Sequence, residues 1–495
     1  MNSSWVRTSR STRACFPNRS CRKSWAVWRV RTMVVLSIAI VHKITNHYFL
    51  HLCKQRRKCS NFLSMRINRY LYVLESQEGK SIIFNAVSRR FLLFPQEKVK
   101  DYISVIRHAA EKKVPDSFLS KLVDAQFLIE DETDEFELIR QNRQQSRWED
   151  TYQTMILPTF DCNFSCWYCT QHHKSTMITQ EVMDLMVLHI TRYILDNNIK
   201  SYRILWFGGE PLLEPDAIDY ISSRVLAFCV QHGVGFRGQI TTNGALLSEE
   251  VIVMLQRNRI NDYQITLDGN RNHHNQVKRS DDIPSSFDLI LNNIKNLLIH
   301  NSQATVILRH NYTDKSLQDV SIVDEINKII PRNLRSRIYI DLKKVWQIRE
   351  SDIDMHRLHH LLLLFGESGY KLNTIGPLDI CYVDRKHFNT LYFDGKVGKC
   401  NGRQLKSLRG HLDEEGRAIW SEQLVYPSYD ILEKEKKCIE CRYLPLCMGG
   451  CPRRREDHIK KNEPMECPEE KDLFFQHNVL DLCWRQMING THSSH

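Results

Sequence analysis

Between residues 151 and 375, short apolar runs alternate with longer stretches of helical period. "YQTMILPTF", "YRILWFG", "RGQITTNG", "DYQITLDG", "ATVILRHNYT" and "RIYIDLKKVW" are rich in β-branched and aromatic residues and read as six strands. After the first of them, "TQEVMDLMVLHITRYILDN" places Val182, Met186 and Ile190 four residues apart behind Thr179. That is the pattern of a capped amphipathic helix. Strands separated by such helices build βαβ units, so the pattern predicts an α/β fold with parallel strands. Six strands fall short of the eight that close a TIM barrel.

Upstream, residues 65–148 read as a small α+β unit. "RYLYVLES" and "KSIIFNAVSRRFLLF" are strand-like around Gly79, and "DSFLSKLVDAQFLIE" reads as one helix capped near Asp116 or Ser117. The charged "DETDEFELIRQNRQQSRWED" then leads into the alternating region.

Charge changes the picture only at the N-terminus. The formal net charge is +11, but residues 1–64 hold thirteen Lys and Arg and no Asp or Glu, leaving the rest near neutral. The basic excess therefore belongs to a leader and not to a nucleic-acid-binding face. The apolar run Met33–Val41 in that leader is too short to span a bilayer. A signal or transit peptide and a true start at Met65 are alternatives, and the ordinary text from Met65 favours the latter.

The sixteen cysteines are unevenly placed. Cys15, Cys21, Cys53 and Cys59 lie in the leader, Cys162, Cys166 and Cys169 in one loop, and seven more between 381 and 467. Clusters separated by a cysteine-poor middle suit metal ligation in a reducing, cytoplasmic compartment better than a disulfide scaffold. Cys229, inside "RVLAFCV", and Cys483 read as core residues.

Polar and glycine-rich motifs fall at successive strand ends. The loop "TFDCNFSCWYCTQHHK" follows the first strand and "GGEP" (Gly208–Pro211) the second. "TNG" (Thr242–Gly244), "LDG" (Leu267–Gly269) and "RHN" (Arg309–Asn311) end the next three. In parallel α/β folds the carboxyl ends of strands form the ligand-binding mouth. The loop offers C-x3-C-x2-C, three thiols where a closed structural zinc site wants four. A four-iron cluster on three cysteines leaves one iron open for chemistry.

C-x3-C-x2-C with Tyr168 before the third cysteine, followed by "GGEP", resembles the radical S-adenosylmethionine (SAM) superfamily signature. The resemblance implies a partial (β/α)6 barrel over residues 149–375. It also implies a 4Fe-4S cluster on Cys162, Cys166 and Cys169, whose open iron is chelated by S-adenosylmethionine. Reductive cleavage would yield a deoxyadenosyl radical that abstracts a substrate hydrogen. Gly208, Gly209 and Glu210 would meet the cofactor's amino group, and backbone near Tyr168 its adenine. "ITLDGNRNHHNQVKR" is similar to a family stretch ending in arginine, which puts Asp268 and Arg279 on matching positions, Arg279 toward the cofactor carboxylate. Asn270 and His274-Asn275 depart from the usual residues there. Arg309 and Asn311 are further cofactor-binding candidates.

Residues 376–470 resemble the SPASM extension, a cysteine-rich iron–sulfur domain carrying two auxiliary clusters, and 471–495 form a C-terminal extension. By analogy Cys438, Cys441, Cys447 and Cys467 would hold one cluster. Cys381, Cys400 and Cys451 would hold the other, without an identified fourth ligand. Zinc is the alternative for "CIECRYLPLC" taken alone. SPASM-bearing relatives modify peptides or proteins. A peptide maturase forming a thioether or carbon–carbon link is the first expectation, sulfatase maturation the second, and a non-catalytic iron–sulfur or zinc scaffold the third. The implied partners are a precursor peptide or protein and a low-potential donor such as flavodoxin or ferredoxin, with no nucleic acid and no membrane. The 65–148 unit would take a peptide leader by edge-strand addition or serve only as a stabilising extension. No general base is singled out among acids such as Asp384 and Asp394.

Overall fold

The computed structural model describes residues 65–492 except 77–79, 96–103, 105, 109–115, 147–149, 172, 281, 375–380, 402–407, 422–433 and 465. The leader and its four cysteines lie outside the described residues. The described residues begin with β1 (Met65–Ile67), β2 (Leu71–Ser76), β3 (Lys80–Asn85) and β4 (Phe91–Pro95). Then come α1 (Asp116–Asp124), β5 (Leu128–Glu130) and α2 (Glu135–Ser146). β2, β3 and β4 form an antiparallel sheet, and β1 pairs with β5. Asn85 splits "IIFNAVSRRFLLF" into two strands: its Oδ1 accepts the N–H groups of Val87 at 2.8 Å and Ser88 at 3.1 Å.

One expectation is corrected here. The helix expected across "DSFLSKLVDAQFLIE" stops at Asp124, because Gln126 turns left-handed (φ 59°) and Phe127 N–H closes back on Leu122 O at 2.8 Å. Buried Leu128 and Ile129 then continue as β5. The charged connector is itself helix α2, started by Asp134 Oδ1, which accepts Phe136 N–H at 2.8 Å.

All six expected strands of the alternating region are present: β6 (Thr151–Leu157), β7 (Ser201–Trp206), β8 (Gly235–Thr242), β9 (Ile260–Thr266), β10 (Thr305–Tyr312) and β11 (Ile338–Lys344). They lie in chain order, each parallel to the next. Helices α3 (Gln180–Asp196), α4 (Pro215–Gln231), α5 (Glu249–Arg257), α6 (Arg271–Val277), α7 (Ser286–His300), α8 (Ser321–Ile329) and α9 (Met355–Glu367) lie between or after them. Thr179 caps α3, its side chain accepting Val182 N–H, and Met186 and Ile190 are buried.

The strands alternate between two environments. In β10, Val306, Leu308, His310 and Tyr312 are buried, while Ile307, Arg309 and Asn311 are half-buried. The buried side chains join a core with Ile290 and Ile294 of α7 and Ile326 of α8. Polar residues on the other strand face explain why these parallel strands read as alternating and not as continuous apolar runs.

The sheet extends past the expected six. β12 (Lys371–Leu372) adds to β11, and β13 (Phe388–Tyr392) runs parallel to β6 on the opposite side. From there β14 (Lys396–Gly398), β15 (Leu408–Leu412) and β16 (Ala418–Trp420) continue antiparallel. With β12 and β16 at its ends, the described sheet does not close into a ring.

Helices α10 (Pro452–Lys461) and α11 (Lys471–His492) complete the chain. α11 covers the β12 edge: Arg485 donates to the carbonyls of Ile340, Leu342 and Asn373, and Asn489 exchanges hydrogen bonds with the Leu372 backbone. Side chains thus occupy the ladder positions that another strand would fill. Tyr72, Leu74, Ile82 and Phe84 of the N-terminal sheet share a core with Tyr443, Leu444, Leu446 and Phe475. Among the described residues no helix is long and apolar enough to cross a membrane.

Candidate active site

The cysteine loop leaves β6 and is pinned at its base. Thr159 Oγ1 donates to Thr176 O at 2.8 Å, and Phe160 N–H donates to Thr176 Oγ1 at 2.8 Å. Its middle is pinned as well, with Ser165 N–H donating to Arg279 O at 2.9 Å and Cys169 N–H to Cys166 O at 3.0 Å. Cys162 and Cys166 are half-buried and Cys169 is exposed, its sulfur 3.5 Å from His173 Nε2.

The two glycines of "GGEP" lie against the start of this loop. A Cβ on Gly209 would stand 2.0 Å from Asp161 O, and one on Gly208 2.6 Å from Thr159 O. Gly208 also has φ +143°, a conformation closed to other residues. Glu210 is fully buried and turned toward the third strand end. Its carboxylate accepts Thr242 Oγ1 at 2.7 Å, Asn243 N–H at 2.7 Å and Leu212 N–H at 3.0 Å. Burial raises its carboxyl, and these donors pull it back. The side chain thus joins two strand ends, leaving the Gly208–Gly209 backbone to face the loop.

Asp268, fully buried at the fourth strand end, accepts from Tyr168 OH and from Asn311 N–H at 3.0 Å and Nδ2 at 3.2 Å. Asn311 Nδ2 also reaches Tyr168 OH at 3.1 Å. Burial and the Asp268 carboxylate push the Tyr168 phenol far up, so it stays a donor. Tyr168, Asp268 and Asn311 therefore meet. Arg279 does not join them: it is exposed, and its Nε donates to Gln276 O at 3.0 Å. Arg309 pairs through Nε with the buried Asp341 at 2.9 Å, across the β10–β11 register. Lys278 and Gln347 escaped the sequence reading. Lys278 is buried beside Asp268 and Phe164, and Gln347 Nε2 donates to Tyr168 O at 3.1 Å. Lys278 was visible only as the neighbour of Arg279, and Gln347 only as part of "KKVWQI".

The sequence pattern of the Radical SAM superfamily matches residues 156–321, which hold the cysteine loop, the glycine pair, Glu210, Asp268, Lys278 and Asn311. The chain carries a radical SAM domain. Mycofactocin maturase MftC of Mycolicibacterium smegmatis is 22% identical over 320 residues, 59% of this chain and 76% of its own. The cysteine-type anaerobic sulfatase-maturating enzyme of Clostridium novyi is 22% identical over 363 residues, 66% of this chain and 94% of its own. Among solved structures, anSMEcpe with bound AdoMet is 15% identical with a TM-score of 0.47, covering 69% of this chain and 100% of that one. Streptococcus suis SuiB bound to S-adenosylmethionine is 15% identical with a TM-score of 0.40, covering 81% and 98%.

Beyond the radical SAM domain the remaining cysteines fall into two neighbourhoods. Cys381 feels the charges of Cys400 and Cys451, whereas Cys438 feels those of Cys447, Cys441 and Cys467. Among the described residues no disulfide joins any of the cysteines. Burial pushes Cys162 and Cys381 up to about 12 and Cys438 up to about 11, so thiolates would form there only as a metal displaces the protons. Among the described residues no three Cys, His, Asp or Glu side chains converge on a single ion. Soft thiol donors of this kind suit iron–sulfur clusters or zinc.

A cavity of about 2110 Å³ lies along the inner face of the sheet. Gln153, Arg203, Gln239, Gln264 and Arg309 line it from five adjacent strands, and Cys381, Cys447 and Cys451 reach it from the other side. Asp384 also lines it, but its carboxylate is clasped by Arg143 at 2.8 Å and Arg455 at 2.9 Å.

Proposed function

We propose that this chain is a radical SAM/SPASM peptide maturase that links side chains of a ribosomally made precursor through a thioether or carbon–carbon bond. The parallel run β6–β11 is its partial (β/α)6 barrel. Cys162, Cys166 and Cys169 would hold the 4Fe-4S cluster. Cys438, Cys441, Cys447 and Cys467 would hold one auxiliary cluster, and Cys381, Cys400 and Cys451 the other. When bound, the first cluster and S-adenosylmethionine supply a carbon-centred radical that removes a substrate hydrogen atom.

The chain's own residues supply position and seclusion. Gly208 and Gly209 let the cysteine loop lie on the strand end, and Glu210 fixes that end to Thr242 and Asn243. Asp268 and Asn311 hold Tyr168, and with it the backbone before Cys169. The amide- and guanidinium-lined cavity suits a peptide, whose backbone offers donors and acceptors along its length. One observation carries the reading: the cavity is lined by Cys381, Cys447 and Cys451 and by Gln347, whose amide donates to Tyr168 O in the three-cysteine loop. The N-terminal sheet is the candidate leader-peptide site.

Sulfatase maturation is the second reading, favoured by the near-full-length match to the Clostridium novyi enzyme. Asp384 is held by two arginines and is not free to turn toward a substrate.

The test is anaerobic reconstitution with a low-potential donor. Wild type is expected to cleave S-adenosylmethionine to 5′-deoxyadenosine, and Cys166→Ala to fall to background. Cys447→Ala should retain uncoupled cleavage yet fail to modify a co-expressed precursor, read by mass spectrometry. Full turnover by Cys447→Ala would remove the auxiliary role. No cleavage by wild type would leave a non-catalytic scaffold.

A further inference from the structure

The site around the cysteine loop is rich in potential negative charge. Glu210 and Asp268 are both fully buried there, beside the thiols of Cys162 and Cys166. Into this group comes Lys278, only 4% exposed. Its Nζ donates to Thr266 Oγ1 at 2.6 Å, stands 3.9 Å from Asp268 Oδ2, and lies 5.8 Å from the centre of the Phe164 ring. Phe164 sits between Cys162 and Cys166, and the residue after it is zipped to Arg279 O. Lys278 is therefore tied into the wall of the loop.

A lysine this buried calls for a compensating anion. Asp268 is the nearest such anion, and it also accepts from Tyr168 and Asn311. Thr266 uses one of the three ammonium donors. Glu210 lies in the same buried group and feels the Lys278 charge, and the thiolates of the loop would add to it.

We propose that Lys278 is the charge-compensating residue of the cluster on Cys162, Cys166 and Cys169, favouring its assembly and its one-electron reduction. The proposal rests on the cluster reading above. Reduction transfers one electron from an external low-potential donor and needs no proton, so the site gains one negative charge. A fixed ammonium nearby lowers the cost of that gain. Arg279, exposed and bonded to its own helix end, does not provide this service.

Lys278→Met keeps most of the length of the side chain and removes the charge. Full-length protein, reconstituted anaerobically, is titrated with dithionite and redox mediators and followed by electron paramagnetic resonance. The signal lost in Cys166→Ala identifies the first cluster. In Lys278→Met its midpoint is expected to move to more negative potential, with iron at the other cysteines unchanged. Thr266→Val keeps the charge but frees Nζ from its anchor, and should give a smaller shift in the same direction. It also supplies the measurement should Lys278→Met not fold. A wild-type midpoint and full iron content in the folded variants would overturn the proposal. Identical signals in wild type and Cys166→Ala would instead sink the cluster reading itself.

Discussion

Gly209 has no room for a side chain, because any Cβ would enter the backbone of Asp161. Gly209→Ala should therefore push the cysteine loop off its strand end, costing about 3 kcal/mol or more and lowering the thermal midpoint. The "GG" pair was legible as a motif, but the contact that demands it was not, since the two segments lie some fifty residues apart. Lys278 and Arg279 show the opposite limit. Two adjacent cations look equivalent in a sequence, and the end of α6 decides which one turns inward. A pH effect also resides at this scale. His310 is buried with neither ring nitrogen hydrogen-bonded among the described residues, and burial lowers it to about 4. Burial likewise lowers His274 to about 3. An unfolded histidine binds its proton near 6.5, so stability is complete above about pH 6.5 and is lost as pH falls toward 4. His310→Leu should flatten this acid limb by about 3 kcal/mol, seen in unfolding midpoints measured across that range. An unchanged slope would contradict the assignment.

Elements were legible where their period was long and local. The six strands β6–β11 and the Thr179-capped α3 carry their pattern in one stretch of text. β13 escaped because "FNTLY" is only five residues and gains its meaning from β6, more than two hundred residues earlier. β5 was hidden by an amphipathic text that continues past the left-handed turn at Gln126. The edge cover of the sheet was equally invisible, since it consists of side chains of α11 meeting carbonyls of β11 and the end of β12. Arg485 is 3% exposed and bonds three of those carbonyls besides Asp481. Arg485→Ala should leave them unsatisfied, costing about 3 to 5 kcal/mol and lowering the melting temperature. Arg485→Lys, a point charge without the planar fork, should recover only part of that loss.

At the scale of the molecule, the sequence divides into units that the structure interleaves. The N-terminal sheet and the C-terminal cysteine segment share one core, with Tyr72 stacked on Tyr443 at 5.7 Å and Tyr443 on Phe475 at 4.5 Å. Tyr443→Ala should cost about 3 kcal/mol or more, and iron analysis should find loss from the Cys438 neighbourhood with the Cys162 loop still loaded. Loss from both in equal measure would show general unfolding instead. Parallel topology was legible at this scale, while the cavity depends on side chains from six strands and could not be read from any of them alone.

β6 and β13 run side by side, with Gln153 opposite Phe388 and Leu157 opposite Tyr392. Each leads into cysteines: β6 into Cys162, and β13 through the β14 hairpin into Cys400. The separation of the two cysteine regions is thereby graduated in steps of about 3.3 Å, one residue of strand. A slip by one step would also turn every side chain of β13 to the wrong face. For any electron that must pass between these regions, the length of the jump is set by the pairing of two strands, and the ladder that secures the core also keeps the tunnelling distance constant.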